Sequence, residues 1–448
     1  MTPHLDGRGS AFPPNTATEP FPPERTGFVR SLWPLLILAF AMMVGFTMMG
    51  SFSTVQESAK VELGLSDYAL SLIQGVGAAL PLAIFSIPIG LMVDRFNRVR
   101  LLFLLALLWV AGTLLTAFAQ GTAMLFTARM LTGIGTTGAL TAALSIGADV
   151  CTAERRGRTM LIVTLGKMLG TAAAFALAGW LFGLFATGAL PRWLGSNWRD
   201  VHLSLAILAA IGMLPLLFLR EPQRHENVSN VHAPIRVVAN ELWARRRFLG
   251  PLFVGQVSVV MADAAAGIWA APVLSRTYGL TPDAFAGWMG ALMFLTGLMG
   301  SILGGIAADF GQKSGRRGGI LIGATVAAVI GIPAALFPIA PGVPMFALAL
   351  GLLVLCGTIT GLITSAALTV LLPNELRGLS IGAFIAVAGL IGFGVAPTLV
   401  AAISDMMGGE AQLAKALALT GTVVSIVSAF AFWRSMRHAP LSATEAPI

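Results

Sequence analysis

The stretch Gly90-Leu-Met-Val-Asp94-Arg95-Phe-Asn-Arg98-Val-Arg100 stands between two long uncharged segments, and a shorter copy, Gly305-Ile-Ala-Ala-Asp309, occurs in the second half of the chain. In each copy an aspartate follows a glycine by four residues, so on a helix both lie on one face, one turn apart. The glycine allows a neighbouring helix to approach closely, and the aspartate can bind an arginine or the amide groups at a helix N-terminus. The two copies predict a charged hinge that is repeated in two halves of a membrane protein.

Composition indicates an integral membrane protein. Of the 448 residues, 56% are hydrophobic and 11% are charged, whereas about a quarter of the residues of a soluble domain are charged. The formal charge of +8 comes from basic residues in short loops, which predicts membrane topology and argues against a nucleic-acid partner. Two cysteines and five scattered histidines indicate neither a disulfide framework nor a metal site, and no cofactor is expected.

Largely apolar segments long enough to cross a bilayer, which takes ~20 residues of helix, occur twelve times. They predict an all-α membrane protein with twelve transmembrane helices in two pseudo-symmetric six-helix bundles. Span 1 is expected from Leu32 to Val55, and Glu57 is expected in the short loop after it. The predicted segments are a disordered cytoplasmic tail (1–30), an N-terminal bundle (31–219), a cytoplasmic linker (220–247), a C-terminal bundle (248–434) and a cytoplasmic tail (435–448). The proline-rich start lacks the features of a signal peptide.

Charge asymmetry predicts the orientation. With these spans, 21 of the 28 Lys and Arg residues lie on the side of the two termini, against five on the other side and two inside spans. Positive residues remain in the cytoplasm, so both termini of this multi-pass chain are predicted to be cytoplasmic, in an inner (plasma) membrane.

A second repeated hinge supports a duplicated six-helix unit. Glu154-Arg-Arg156-Gly157 follows span 4, and Glu375-Leu-Arg377-Gly378 follows span 10. Parallel halves of this kind place a substrate site near the membrane midplane and expose it alternately to either side by rocking.

These motifs resemble the major facilitator superfamily over essentially the whole membrane part, as does Arg129-x3-Gly133-x-Gly135 in span 4. The resemblance implies that the loop motif latches a cytoplasmic gate, and its residues there are Gly90, Asp94, Arg95 and Arg98. Further gate candidates lie at the other hinges: Asp149, Glu154, Arg156, Gly305, Asp309, Glu375 and Arg377.

Two details are similar to the Spinster branch, whose animal members move lysolipids and sphingosine phosphate. They are Asn97 within the loop motif and Leu72-Ile73-Gln74 in span 2. The chain departs from that branch late in span 1, where Met48-Met49-Gly50-Ser51 replaces an Asp-Arg pair. It also lacks the Gly-Pro antiporter motif in span 5.

Polar and charged residues inside spans are site candidates because burying them in a membrane costs free energy. The candidates for substrate binding or proton coupling are Asp263, Arg129, Lys167, Gln74 and Glu57. Asp263, near the middle of span 7, is either a proton carrier or an interhelical hydrogen-bonding residue. Arg129 either lines the cavity or is a structural clamp, and Lys167 could instead extend its ammonium group towards the membrane surface. Gln74 is equally open, whereas Glu57 fits a solvated loop at least as well.

The prediction is a monomeric secondary active transporter that moves an amphipathic or organic anion, a lysolipid-like cargo included, by alternating access with proton coupling. Two central cations against one acid favour an anionic cargo. Its other partners are protons and membrane lipids. One alternative is a proton-driven multidrug exporter, and another is a transporter-like receptor or sensor without turnover. An enzyme would need clustered catalytic groups inside spans, and the sequence contains none, so no catalytic residue is assigned.

Overall fold

The structure, a computed structural model, describes residues 28–151, 156–224, 243–372 and 382–440 apart from 383 and 385. These residues form twelve helices that are long and apolar enough to cross a membrane. The N-terminal half comprises α1 (Phe28–Leu63), α2 (Asp67–Arg95), α3 (Arg98–Ala117), α4 (Thr122–Val150), α5 (Arg156–Ala186) and α6 (Asn197–Phe218). The C-terminal half comprises α7 (Arg246–Tyr278), α8 (Pro282–Lys313), α9 (Gly319–Ile339), α10 (Val343–Leu371), α11 (Ala386–Met406) and α12 (Glu410–His438). The predicted fold class is confirmed.

The twelve helices follow the predicted spans, but α1 is longer than its uncharged segment. It continues to Leu63, so Glu57 lies on a helix and the loop expected there was wrong. The charged last turns of α1 are accommodated because their side chains form ion pairs with other helices. Gly64 ends α1 with a φ of 62°, a left-handed conformation that favours glycine.

Residues of the loop motif also end one helix and begin the next. Asn97 precedes α3, and its side-chain oxygen accepts a hydrogen bond from the backbone N–H of Arg100 at 2.8 Å. Such a cap satisfies one of the free N–H groups at a helix start. The short connection between α2 and α3 therefore follows from the motif itself. The predicted tail and linker bounds stay predictions, since residues 1–27, 225–242 and 441–448 lie outside the described part.

Both α2 and α11 contain a wider π-helical turn, at Leu72–Val76 and at Gly389–Val395. The two turns pack against each other across the two halves: a β-carbon on Gly75 would lie 2.5 Å from the Phe393 carbonyl oxygen. This close approach requires glycine. π-turns inside α-helices are frequent at functional sites, so this contact directs attention to the interface between the halves.

Among the described residues, the contacts between the two halves lie towards one side of the bundle. We name the side where α1 begins and α12 ends the proximal side, and the opposite one the distal side. Distal parts of α5 and α8 pack closely, since a β-carbon on Gly290 would lie 2.5 Å from the Ala172 carbonyl oxygen. Leu161, on the same face of α5 but two to three turns nearer the proximal side, is 61% exposed. The described helices thus enclose a cleft that is closed distally and open proximally.

Candidate functional site

Five charged side chains join the two halves at the distal side, and we name them the distal cluster: Glu57, Lys60, Asp67, Arg276 and Glu410. The Arg276 guanidinium, at the end of α7, binds both carboxylate oxygens of Glu57 at 2.9 Å and both of Asp67 at 2.7 Å. Lys60 binds Asp67 at 2.8 Å and also pairs with Glu410 at the start of α12. The cluster therefore connects α1 and α2 with α7 and α12.

Sequence reasoning named only Glu57 from this cluster, as a cargo or coupling candidate. The geometry places its carboxylate in an ion pair with Arg276, whose side chain comes from a position 219 residues away. Opposite charges at the distal ends of spans 1 and 7 were the available signal. It was weak because charges also occur there in ordinary solvated loops.

A buried amide cluster lies beside the two π-turns. Gln74, within the π-turn of α2, donates to the side-chain oxygen of Gln56 and accepts from the Ser53 hydroxyl at 3.1 Å. Gln56 in turn donates to the carbonyl oxygen of Ile268 on α7 at 2.5 Å. This second polar contact between the halves consists of the predicted Gln74 together with Gln56.

Lys167 lies at the cleft. It is exposed, and its Nζ stands 5.2 Å from the centre of the Phe46 ring on α1. Five residues further along α5 in the distal direction, Ala172 meets Gly290 of α8, where the halves pack closely. Among the described residues no carboxylate pairs with Lys167. The side chain is therefore an uncompensated cation near the closed end of the cleft.

Arg129 is held inside the N-terminal half. Its Nη2 donates to the Met49 carbonyl oxygen of α1 at 2.6 Å, and its Nε is buried without a hydrogen-bond partner in the described part of the chain. The first carbon of its side chain packs against α2, since a β-carbon on Gly77 would lie 3.3 Å from the Arg129 Cβ. In this conformation Arg129 is 6% exposed, so it clamps helices of one half, and its role in cargo binding stays a prediction.

Asp263 is half-buried and faces other helices of the C-terminal half. Its carboxylate occupies the space beside Gly357 of α10, where a β-carbon would overlap it. The cavity around it is lined by α7, α9, α10 and α12. The three predicted buried charges are thus not brought together: Arg129 and Asp263 lie inside opposite halves, and Lys167 lies at the cleft between them.

The loop motif forms a buried ion cluster within the N-terminal half. Arg98, 2% exposed, pairs with Asp149 at the end of α4 and with Glu221 after α6, the latter at 2.8 Å. Glu221 was expected only as the start of the linker. Asp94 has an exposed side chain, and its backbone oxygen accepts from Arg224.

The other gate candidates are distributed as follows. Arg95 and Asp309 are exposed, Gly90 and Gly305 are half-buried, and the nearest atom to a β-carbon on Gly305 is the Leu362 Cδ2, at 3.7 Å. Glu154, Glu375 and Arg377, together with the side chain of Arg156, lie outside the described residues. The structure brings Arg98 and Asp149 together, and the gate role of all these residues stays a prediction.

Within the described ranges no group of three His, Cys, Asp or Glu side chains is placed to hold a metal ion. The arrangement instead offers a cleft between two helical halves, with a lone cation at its closed end and ion pairs that seal the distal side. This is the geometry of a transport protein.

The sequence model of the Major Facilitator Superfamily matches residues 35–393, and the chain belongs to that family. The fold is similar to that of a bacterial homologue of the human lysosomal transporter Spinster, solved in an inward-facing and unoccupied conformation. The TM-score is 0.77 and the identity 22%, over 90% of this chain and 97% of that one. A D-xylose-proton symporter gives a TM-score of 0.64 at 17% identity, over 90% of this chain and 97% of the symporter chain. At these identities the likeness is one of fold.

Curated relatives are bacterial transporters of different compounds. A probable 4-methylmuconolactone transporter of Cupriavidus pinatubonensis is 26% identical over 254 residues, 56% of each chain. A triacylglyceride transporter of Mycobacteroides abscessus is 28% identical over 215 residues, 48% of this chain and 37% of its own length. A probable sulfoacetate transporter of Cupriavidus necator is 26% identical over 302 residues, which are 62% of this chain and 65% of its own length. The matches span less than two thirds of these relatives.

The family match and the twelve helices that are long and apolar enough to cross a membrane make the chain a multi-pass membrane protein of the Major Facilitator Superfamily. The curated relatives named above are described as transporters.

Proposed function

We propose that the protein is a secondary active transporter that moves an organic or amphipathic anion by alternating access, coupled to protons. One observation carries this proposal: among the described residues, Lys167 is a cation without an acidic partner near the closed end of the cleft. An ammonium group in a largely apolar membrane cleft is costly to dehydrate without a counter-charge, and an anionic cargo would supply one.

The contact with Phe46 supports a binding role for Lys167. An aromatic ring face attracts an ammonium group and holds it near one position, yet it supplies no negative charge. A carboxylate or phosphate of a bound cargo can therefore pair with Lys167 without displacing an existing ion pair. The names of the relatives include sulfoacetate, an anion, and triacylglyceride, a lipid, and an amphipathic anion combines features of both.

Alternating access is supported by the asymmetry of the interface. The distal cluster and the amide cluster hold the halves together distally, while the proximal cleft is open. With the proximal side in the cytoplasm, as charge asymmetry predicts, this is an inward-facing state. The opposite state would have to break the distal cluster, so we assign Glu57 to the gate rather than to cargo binding. Arg129 and Gln74 would act on cargo from the walls of the N-terminal half.

The test is thermal unfolding of the detergent-purified protein against two ligand pools. One contains lysolipids and sphingoid phosphates, and the other contains small carboxylates and sulfonates. A ligand that binds only the folded state raises the midpoint, by about 2.7 kcal/mol at a hundredfold excess over its Kd. We expect a shift with one of the pools, lost in Lys167→Gln and kept in Lys167→Arg.

Two other outcomes of this experiment would argue against an anionic cargo. A shift with cationic drugs alone would favour the multidrug exporter. Binding that persists unchanged in Lys167→Gln would remove the basis for an anionic cargo. Light scattering during the same preparation would test the proposed monomer.

A further inference from the structure

A small cavity inside the C-terminal half contains the carboxylate of Asp263, and we name it the Asp263 cavity. Among the residues of α9, α10 and α12 that line it are Ala327, Cys356, Ser425 and Ser428. It offers about 20 Å³ to the centre of a water molecule, which is enough for a single water. All its lining residues belong to the C-terminal half, whereas Lys167 lies on α5 of the N-terminal half.

The position of the carboxylate depends on Gly357, since any larger residue there would place its β-carbon on the Asp263 carboxylate. The neighbouring Thr360 hydroxyl is already engaged, since it donates to the Gly357 carbonyl oxygen at 2.9 Å. No hydrogen bond or ion pair links Asp263 to any residue within the described ranges. The Ser428 hydroxyl, at 0% exposure, lines the same cavity and has no partner there either.

The described residues around Asp263 supply no compensating charge. Among those that line the cavity, Cys356 of α10 is the one titratable side chain besides Asp263, and the residues contributed by α9 and α12 are Ala, Gly and Ser. An isolated ionised carboxylate in such a site is strongly disfavoured unless it is paired or neutralised. A hard divalent cation would need six or more oxygen ligands, more than these side chains supply.

We propose that the Asp263 cavity binds the coupling proton, which adds to a carboxylate oxygen of Asp263 and gives a neutral carboxylic acid. This inference rests on the proposed function as a proton-coupled transporter and assigns its ion site. The acid O–H then donates to the unpartnered Ser428 hydroxyl, directly or through the single water. Proton and cargo occupy different sites, one inside the C-terminal half and one at the cleft.

The position of Asp263 on α7 explains how proton binding can influence the contact between the two halves. Five residues further along α7 the Ile268 carbonyl accepts the bond from Gln56, and at its distal end Arg276 enters the distal cluster. A change in charge on Asp263 alters how α7 packs on α10 beside Gly357. Both contacts of α7 with the N-terminal half are then affected by the same helix movement.

The test follows the proton itself by infrared difference spectroscopy of the purified protein in lipid, titrated from acid to alkaline pH. A protonated carboxyl group gives a carbonyl stretch that disappears on ionisation. We expect one such band to be absent in Asp263→Asn and present in the matched control Asp405→Asn, an exposed aspartate at the end of α11. In Ser428→Ala the band should remain but change frequency, because the acid loses its hydrogen-bond partner.

Two results would overturn the proposal. One is an unchanged set of carboxyl bands in a folded Asp263→Asn protein, with folding checked by circular dichroism. The other is loss of the band in sodium chloride but not in choline chloride, which would assign the cavity to sodium. Failure of the proposed function is distinguishable: no ligand pool would shift the midpoint while the Asp263 band persists. If ligands bind but no band belongs to Asp263, only the ion site is refuted.

Discussion

Arg276 at the end of α7 binds both carboxylate oxygens of Asp67 at the start of α2, each at 2.7 Å, across the two halves of the molecule. Asp67 is 1% exposed, and Arg276 also binds Glu57. A bidentate arginine–carboxylate pair is among the stronger and more directional polar contacts in proteins. The distal side is thus closed by a geometry that must be broken for it to open.

The first prediction is that Asp67→Asn opens the distal side. Loss of the charge leaves Arg276 and Lys60 with weaker partners, which favours the opposite state. The reporter is Ser53→Cys, placed in a background in which Cys151 and Cys356 are replaced, and labelled with a membrane-impermeant maleimide from the distal side. We expect labelling to accelerate by about tenfold, which corresponds to ~1.4 kcal/mol in the equilibrium between states.

A matched control exists on the same side. Glu62 pairs with Arg199 at 2.7 Å, and both residues belong to the N-terminal half. Glu62→Gln removes a distal ion pair without affecting the contact between halves, so the labelling rate should remain that of the parent. Equal acceleration in Glu62→Gln and Asp67→Asn would show that the distal cluster is not a gate.

The second prediction concerns the amide cluster. Gln56→Leu removes the side-chain partner of the Ile268 carbonyl and of the Gln74 amide nitrogen, and Gln74→Leu removes the partner of the Gln56 side-chain oxygen and of the Ser53 hydroxyl. Each single change should lower the free energy of unfolding by about 1–3 kcal/mol. Since the two side chains bind each other, the double variant should lose less than the sum of the singles. Thermal or denaturant unfolding in detergent measures this, and strict additivity would contradict the coupling.

The third prediction separates two residues of the loop motif. Arg98 is buried between Asp149 and Glu221, whereas the Asp94 side chain is exposed. Arg98→Gln should destabilise the protein by about 3–5 kcal/mol because it removes the buried guanidinium group that binds both acids. Asp94→Asn should change stability by less than about 0.5 kcal/mol. Thermal unfolding midpoints of the two variants measure these changes. A similar loss of stability in both would refute the distinction between Arg98 and Asp94.

The fourth prediction is that Asp94 acts in the state opposite to this one. If it latches the proximal gate, as the family resemblance implies, Asp94→Asn should destabilise the proximally closed state. A cysteine at Leu161, on the open proximal face of α5, should then be labelled faster from the proximal side. Asp67→Asn should slow labelling at the same position, since it favours proximal closure. If the two variants change the rate in the same direction, the reciprocal gate model fails.

The candidate site was only partly predictable. Asp263, Arg129 and Lys167 were identified because a charge inside an apolar span is conspicuous in any sequence. Their different surroundings were not foreseen, because hydropathy does not tell which face of a helix points into its own bundle. Lys167 reaches the cleft, while Asp263 faces α9, α10 and α12. The hinge residue Arg98 was predicted, but its partner Glu221 was not.

By itself, the sequence determined the number of helices and the duplication, because the length and charge of each segment decide whether it can cross a bilayer. It also determined the connection at Asn97, since a helix cap is a local interaction. Only the tertiary structure decided that Gln56 reaches Ile268, 212 residues away, and that Arg276 closes the distal side with Asp67. These contacts depend on how the two halves pack against each other, and no local pattern along the chain encodes that geometry.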